Sequence, residues 1–236
     1  FALKVFHEDL FNDDDDIENI KKVLNEYEIL NQLNHPNIIK TFGIRLGDIK
    51  NSPAILLEYY SSNLKNKINE LKKEERIEAI DISLAMKEVH SAGIIHRDLR
   101  LENILLDENN KIKLSGFGLG TLIELESDSM SRSQIQGTFE YMAPELLQEK
   151  NDYNEKVDVY AFGVVVFLIL TKGEFPKISP NEILNGKKAD IPKVITKFSR
   201  ELIDKCWSIK AEQRPSFNEI VNTLKKSHAK LIISQK

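Results

Sequence analysis

The chain has 236 residues and is 41% hydrophobic, enough to bury the core of one large domain or of two lobes that share an interface. Its 33 basic and 37 acidic residues give a net charge of -4, which offers neither a broad basic surface for nucleic acid nor a polybasic patch for a membrane. The single cysteine, Cys206, excludes an internal disulfide, so we expect a reducing, cytoplasmic environment.

The first sixty residues predict a small β-rich unit. Residues 1–6 alternate weakly between apolar and polar side chains and predict a strand, whereas residues 17–33 carry apolar side chains at helical spacing. A histidine-proline pair then ends the helix. Two further short strands are predicted on either side of a polar turn, at 38–43 and 54–59.

The rest of the chain predicts an α-rich unit, with helices at 63–71, 74–90, 156–171 and 199–207. The longest apolar run, 157–170, is interrupted by Asp158 and is shorter than the roughly 20 residues of a membrane span. We therefore predict a buried helix there and no membrane insertion. Cys206 and its neighbour Trp207 are predicted to pack in the core, because no second thiol or histidine lies at a metal-binding spacing.

Two charged residues of the first unit fall on apolar faces. Glu26 has Val23, Ile29 and Leu30 as its helical neighbours, and Lys4 lies in the middle of an apolar strand. Burying either charge alone costs free energy, and an ion pair between them would satisfy both. The alternative is that each side chain extends to solvent along its aliphatic stem.

The string HRDLRLENILL, at 96–106, carries the residues for phosphoryl transfer. Asp98, Arg100 and Asn103 lie between two apolar runs, which predicts a loop that brings their side chains together. A carboxylate there can accept a hydroxyl proton, a cation can neutralise phosphate charge, and an amide oxygen can bind Mg²⁺.

Several further motifs follow in a fixed order. They are FALK at 1–4, SGFGLG at 115–120, GTFEYMAPE at 137–145, KVDVYAFGVVVF at 156–167 and CWSIKAEQRPSF at 206–217. Together with HRDLRLEN these motifs resemble those of the eukaryotic protein kinase domain, most closely the tyrosine-kinase-like serine/threonine group. The resemblance implies an α+β, bilobal fold, with a β-rich N-lobe and hinge at 1–60 and an α-helical C-lobe at 61–236.

The resemblance also implies which residues would act on ATP. Lys4 would contact the α- and β-phosphates and Glu26 would hold Lys4 in place. Asp98 would be the catalytic base and Asn103 a metal ligand. Arg100 takes the place of the lysine usual in serine/threonine members and keeps its charge.

The adenine pocket is implied in the same way. Leu57 would guard the back of the pocket, and the backbone of the hinge from Glu58 to Tyr60 would pair with adenine. Ala2 and Leu105 would enclose the base from its two faces. Protein hydroxyls would be the substrates, and the segment around Gly137 and Thr138 favours serine and threonine over tyrosine.

Other positions have structural or regulatory roles by the same resemblance. Asp158 would brace the catalytic loop, and Arg214 would pair with Glu145. Phosphate added to the serines of the activation segment could pair with Arg97 and order that segment; the alternative is a plain polar loop. These serines are Ser127, Ser129, Ser131 and Ser133.

The chain departs from the family pattern at three places. Gly116 stands where the family has its metal-binding aspartate, so we expect Mg²⁺ binding to be weakened or absent and the rate of transfer severely reduced. Only three residues precede Lys4, so the family's glycine-rich loop is not in this sequence, which we expect to be truncated; the alternative is an N-lobe without its first two strands. Thr41 places a hydroxyl in an apolar stack between Leu30 and Phe117.

Three interpretations remain open. The chain is a serine/threonine kinase domain with impaired catalysis, or a pseudokinase that acts as a nucleotide-sensing or purely protein-binding signalling scaffold without turnover. The third is that Gly116 is an isolated variant of an active enzyme, in which case Gly116→Asp would restore transfer.

Overall fold

The smaller lobe is built from three strands and one helix. Strands β1 (Ala2–Val5), β2 (Thr41–Arg45) and β3 (Ala54–Leu57) form an antiparallel sheet in the order β1-β3-β2. Helix α1 (Asp16–Gln32) packs against β2, and its apolar stripe lies in the core. The computed structural model describes residues 1–6, 16–47, 52–70, 78–122, 139–148 and 153–226.

The larger lobe is mainly helical. Its helices are α2 (Leu64–Lys67), α3 (Ala79–Ser91), α4 (Pro144–Leu147), α5 (Lys156–Leu170), α6 (Pro180–Leu184), α7 (Lys197–Cys206) and α8 (Phe217–Lys226). Short strands β4 (Ser62–Asn63), β6 (Ile104–Leu106) and β7 (Ile112–Leu114) form one antiparallel sheet, and β5 (Ile94–Ile95) pairs with β8 (Thr121–Leu122). The predicted bilobal α+β fold is therefore confirmed.

The link between the lobes changes one predicted strand. The strand predicted at 38–43 begins only at Thr41, because the residues before it bond to the larger lobe instead of to β3. Asn37 accepts a hydrogen bond from the Leu114 N–H at 2.8 Å, and the Ile39 N–H donates to the Leu114 carbonyl at 2.9 Å. The chain just beyond α1 is thereby fixed to β7.

The predicted helix at 63–71 was too long. Asn63 is extended and belongs to β4, and its side-chain oxygen accepts a hydrogen bond from the Asn66 N–H, which starts α2 at Leu64. The helix ends at Lys67. The start predicted at residue 74 for the next helix lies outside the described residues, and α3 begins at Ala79.

Helix α5 forms the centre of the larger lobe, as predicted. Every residue from Val157 to Ile169 is buried, and α7 packs along the helix. Cys206 and Trp207 are buried against it, which confirms their predicted place in the core. Within the described part of the chain, the structure contains no helix long and apolar enough to cross a membrane.

Gly163 allows the close approach of α5 and α7. A Cβ atom at this position would lie 2.8 Å from Cys206 Cβ and 2.8 Å from Trp207 Cδ1. We expect Gly163→Ala to lower the free energy of unfolding by about 1–3 kcal/mol, despite alanine's better helix propensity, because overpacking forces the helices apart. Denaturant titration measures the change. Gly43→Ala is the control, since a Cβ there meets nothing within 4 Å; an equal loss in both variants would contradict the packing argument.

Candidate active site

A cleft of about 240 Å³ opens between the small sheet and the loop that follows β5. Eight of the residues predicted to form the site line it: Ala2, Lys4, Glu26, Leu57, Glu58, Tyr60, Asn103 and Leu105. Leu30, Ile39, Ser115 and Gly116 complete the wall. The structure therefore brings together, in one place, residues as far apart in the sequence as Ala2 and Gly116.

The ion pair between Lys4 and Glu26 is present. Lys4 Nζ lies 2.7 Å from Glu26 Oε1 and 2.6 Å from Oε2, so the ammonium contacts both carboxylate oxygens. The Glu26 side chain is 3% exposed and that of Lys4 is 40% exposed. The alternative, in which both side chains extend to solvent, is excluded. A Cβ on Gly118 would lie 3.1 Å from Glu26 Oε2, so a glycine leaves room for the pair.

Helix α1 is also fixed to the segment that follows Phe117. Asn25 Nδ2 donates to the Gly120 carbonyl at 2.8 Å, an interaction that the sequence analysis missed. Phe117 is fully buried, and its ring centroid lies 4.7 Å from that of His96. Thr41 does not leave its hydroxyl unpaired, because Oγ1 donates to the Leu56 carbonyl at 3.2 Å.

Asp158 braces the catalytic loop, as predicted. Its buried carboxylate accepts hydrogen bonds of 2.8 Å from the backbone N–H groups of His96 and Arg97. Its Oδ2 also lies 2.8 Å from His90 Nε2. These bonds hold Arg97 in the left-handed region at a φ of 66°, which is costly for a residue with a side chain. Burial opposes ionisation, but the hydrogen bond and charge from His90 prevail and lower the pKa of Asp158.

The His96 ring is held as a neutral imidazole. Burial is the main cause that lowers the pKa of His96. Nδ1 accepts the Asp98 N–H at 3.2 Å, so the ring proton lies on Nε2, which donates to the Ser115 carbonyl at 3.0 Å. One side chain thus joins the loop that carries Asp98 to the segment that carries Gly116.

Asn103 and Asp98 contact each other directly. Asn103 Nδ2 donates to the Asp98 backbone carbonyl and to Asp98 Oδ2, each at 2.7 Å. The backbone carbonyl of Asn103 accepts two hydrogen bonds from Ser115, one from its N–H at 2.8 Å and one from its hydroxyl at 3.0 Å. Gly116, at a φ of 85°, follows directly, with the Asn103 amide beside it.

This arrangement of lysine, glutamate and catalytic loop agrees with a comparison with known families. The family model described as protein tyrosine and serine/threonine kinase matches residues 2–224. The chain belongs to this protein kinase family. Kinases of this family generally use ATP and Mg²⁺ and act on proteins.

Curated relatives include kinases of an amoeba and a plant. The kinase domain is 37% identical over 231 residues to the dual specificity protein kinase pyk3 of Dictyostelium discoideum, with 92% of this chain and 16% of that protein covered. It is 32% identical to the dual specificity kinase shkE of the same organism (87% and 30% covered) and 34% identical to the serine/threonine/tyrosine-protein kinase HT1 of Arabidopsis thaliana (85% and 53% covered). The chain spans only about a sixth to a half of the lengths of these proteins.

Two predicted site residues of the kinase domain, Asp98 and Arg100, are not among the residues that line the cleft. Arg100 pairs with a neighbour that the sequence analysis missed. Its Nε donates to Glu102 Oε2 at 2.9 Å, and Lys65 Nζ lies 3.7 Å from the other carboxylate oxygen. The hydrogen bond to Glu102 raises the pKa of Arg100. The opposite charges at 100 and 102 were the sequence feature that could have predicted this pair, but their spacing does not specify in which direction the two side chains point.

The hinge is tied to both lobes of the kinase domain. The Glu58 N–H donates to the Lys40 carbonyl at 2.9 Å, and Glu58 Oε2 lies 3.3 Å from Lys113 Nζ. Burial, together with a hydrogen bond to Glu58, raises the pKa of Tyr60, so this phenol stays neutral at physiological pH. Leu57 is buried at the start of the hinge.

The predicted ion pair of Arg214 with Glu145 is present in the larger lobe. The guanidinium contacts both carboxylate oxygens, at 2.6 and 2.8 Å, and also donates to the Ser208 carbonyl at 2.8 Å and the Lys156 carbonyl at 3.0 Å. The predicted regulatory serines lie outside the described residues. Arg97 Nη1 donates to Thr121 Oγ1 at 3.0 Å, so Arg97 has a partner within the described kinase domain.

Proposed function

We propose that this kinase domain binds adenine nucleotide in the cleft and transfers phosphate to serine or threonine of proteins at a severely reduced rate. The observation that carries the proposal is that the Lys4–Glu26 pair lines one cleft with Gly116 and with Asn103, whose amide bonds to the Asp98 carboxylate. We retain 1–60 as the N-lobe with its hinge and 61–236 as the C-lobe, and a cytoplasmic location.

The cleft suits an adenine nucleotide. Ala2 and Leu105 line it and offer apolar surface to the two faces of the base, with Leu57 at the back. The Glu58 carbonyl and the Tyr60 N–H would pair with the edge of adenine. Lys4 is held by Glu26 where it can contact the α- and β-phosphates.

The residues present do not form the metal site that the family implies. Gly116 has no side chain, so the carboxylate that would bind Mg²⁺ is lost, and Asn103 supplies a single amide oxygen. Mg²⁺ prefers near-octahedral oxygen coordination, and one neutral protein ligand adds little to what phosphate and water already offer. Weak Mg²⁺ binding and a low rate follow.

Asp98 is the residue that would move the proton. Its carboxylate would accept the proton of the substrate hydroxyl, and the Asn103 amide holds it by a hydrogen bond from one side. Arg100 would add positive charge near the reacting phosphate only if it leaves Glu102. No other described residue takes the place of the charge lost at Gly116, so we expect a rate at least about 10² to 10³ lower than with the aspartate.

A second candidate is a pseudokinase that works as a protein-binding signalling scaffold. It is favoured by the hydrogen bond from Asn103 Nδ2 to Asp98 Oδ2, because that bond occupies one oxygen of the carboxylate that would accept the substrate proton. The substrates or partners would be proteins in either case.

Transfer of radiolabelled γ-phosphate to a general protein substrate tests the proposal. We expect a weak signal that falls by about 10² or more in Asp98→Asn, since loss of a general base has this effect. Asp190→Asn, which changes an exposed carboxylate of the larger lobe in the same way, is the control that should leave the signal unchanged. A signal that survives in Asp98→Asn, or no signal at all, would reject catalysis and favour the scaffold.

A further inference from the structure

The space beside Gly116 is already filled. A Cβ atom built on Gly116 would overlap Cγ and Nδ2 of Asn103 and would lie 2.6 Å from its Oδ1. Real Cβ atoms do not approach other atoms so closely, so any side chain at this position requires the Asn103 amide to move. Gly116 also has a φ of 85°, where residues with a side chain are disfavoured.

The Asn103 amide is not free to move without cost. Its Nδ2 donates two hydrogen bonds of 2.7 Å to Asp98, one to the backbone carbonyl and one to the carboxylate. The backbone of the same residue is held by Ser115. A displaced amide would leave both acceptors on Asp98 without this donor, and hydrogen bonds to a charged group are among the stronger ones.

We propose that Asn103 has taken the place of the missing carboxylate and closes the metal site, so that the cleft binds adenine nucleotide without a divalent cation. This inference rests on the nucleotide cleft of the proposed function. In it, Asn103 is a positioning residue that fills the space beside Gly116 and fixes the Asp98 carboxylate. Lys4 is then the cation that contacts the phosphates.

The proposal has a consequence for the interpretation of Gly116 as an isolated variant. Gly116→Asp alone would not restore a metal site, because the new side chain and the Asn103 amide compete for the same space. Moving the amide aside breaks its bonds to Asp98, and leaving it in place excludes the carboxylate. A single reversion is therefore expected to destabilise the chain without making nucleotide binding depend on Mg²⁺.

The first experiment measures the competition for space without any ligand. Melting temperatures are compared for the unmodified chain, Gly116→Ala, Asn103→Ala and the double variant. We expect each single change to lower the melting temperature by at least about 2–4 °C, the shift for roughly 1 kcal/mol in a domain of this size. In the Asn103→Ala background, Gly116→Ala should cost less than half as much, because the clash is gone. Additive losses would overturn the proposal.

The second experiment measures nucleotide affinity directly. ATP is titrated calorimetrically into the full chain with Mg²⁺ and, separately, with EDTA. We expect dissociation constants that agree within about threefold, and the same agreement in Gly116→Asp. Asn109→Ala, a change at an exposed residue outside the cleft, is the control and should leave both dissociation constants unaltered.

The outcomes separate this inference from the proposed function. Tightening by Mg²⁺ of tenfold or more in the unmodified chain would overturn the inference while leaving a nucleotide-binding kinase domain intact. No binding of ATP under either condition would overturn both. If Gly116→Asp alone produced strong Mg²⁺ dependence, Asn103 would not close the site, and the isolated-variant interpretation would be favoured.

Discussion

Glu145→Ala is expected to lower the free energy of unfolding by about 3–5 kcal/mol, because it leaves the charge of Arg214 buried without its partner. The Arg214 side chain is fully buried, and its guanidinium contacts both oxygens of Glu145. The remaining acceptors are neutral and cannot offset a full positive charge in the interior; they are the carbonyls of Ser208, Lys156 and Ile209. Denaturant titration of the unmodified chain and of Glu145→Ala measures the difference in the free energy of unfolding.

Two further variants test the reason for this loss. Glu201→Ala removes an ion pair with Lys197 in which both side chains are mostly exposed, and should cause little change. Replacing both partners, as Glu145→Leu with Arg214→Met, should recover much of the stability, because no unpaired charge remains buried. If Glu145→Ala were as mild as Glu201→Ala, the pair would not hold the larger lobe together.

Lys4→Met is expected to remove nearly all stabilisation of the fold by nucleotide. A ligand at about 100 times its dissociation constant stabilises the protein to which it binds by roughly 2.7 kcal/mol, and the variant should show almost none of this. The physical reason is that methionine keeps most of the length of the side chain but has no charge for the phosphates, and it leaves Glu26 to repel them. Melting with and without saturating ATP measures the difference.

The variant also loses the partner of a buried glutamate, so its stability without ligand should fall as well. For this reason the shift caused by ATP is compared within each variant. Lys40→Met is the matched control, because the Lys40 side chain is exposed on the same lobe and lies over the ring of Phe42, and the bond from Glu58 goes to the Lys40 backbone, which the change keeps. An undiminished shift in Lys4→Met would mean that nucleotide binds elsewhere or does not use this lysine.

The sequence predicted much of the framework. Helical spacing placed Glu26 on the buried face of its helix, and the family resemblance then favoured the pair with Lys4 over two side chains that extend to solvent. The family resemblance carried by the ordered motifs predicted the bilobal fold, the bracing of the loop by Asp158 and the pair of Arg214 with Glu145. These features depend on periodicity or on residues whose charge has few possible partners in a core.

Other features depend on side-chain directions that spacing does not specify. The two-residue strands β4, β5 and β8 are too short for an alternating pattern to be visible. The sequence placed Asn103 near Gly116 but could not show that the Asn103 amide fills the space beside this glycine, because the position of the amide results from its bonds to Asp98. The pairing of Arg100 with Glu102 is similarly a choice between rotamers.

Asn37 and Ile39 anchor the chain to β7 just beyond the end of α1, and Asn25 ties α1 to the Gly120 carbonyl partway along its length. At a rise of about 1.5 Å per residue, Glu26 lies about 9 Å from the end of the helix at Gln32, and Asp16 about 24 Å from it. A rotation about that end that carries Glu26 by about 1 Å would thus displace the start of the helix by nearly 3 Å. A displacement of the start of α1 would therefore act on the Lys4–Glu26 pair and on the Asn25–Gly120 bond together.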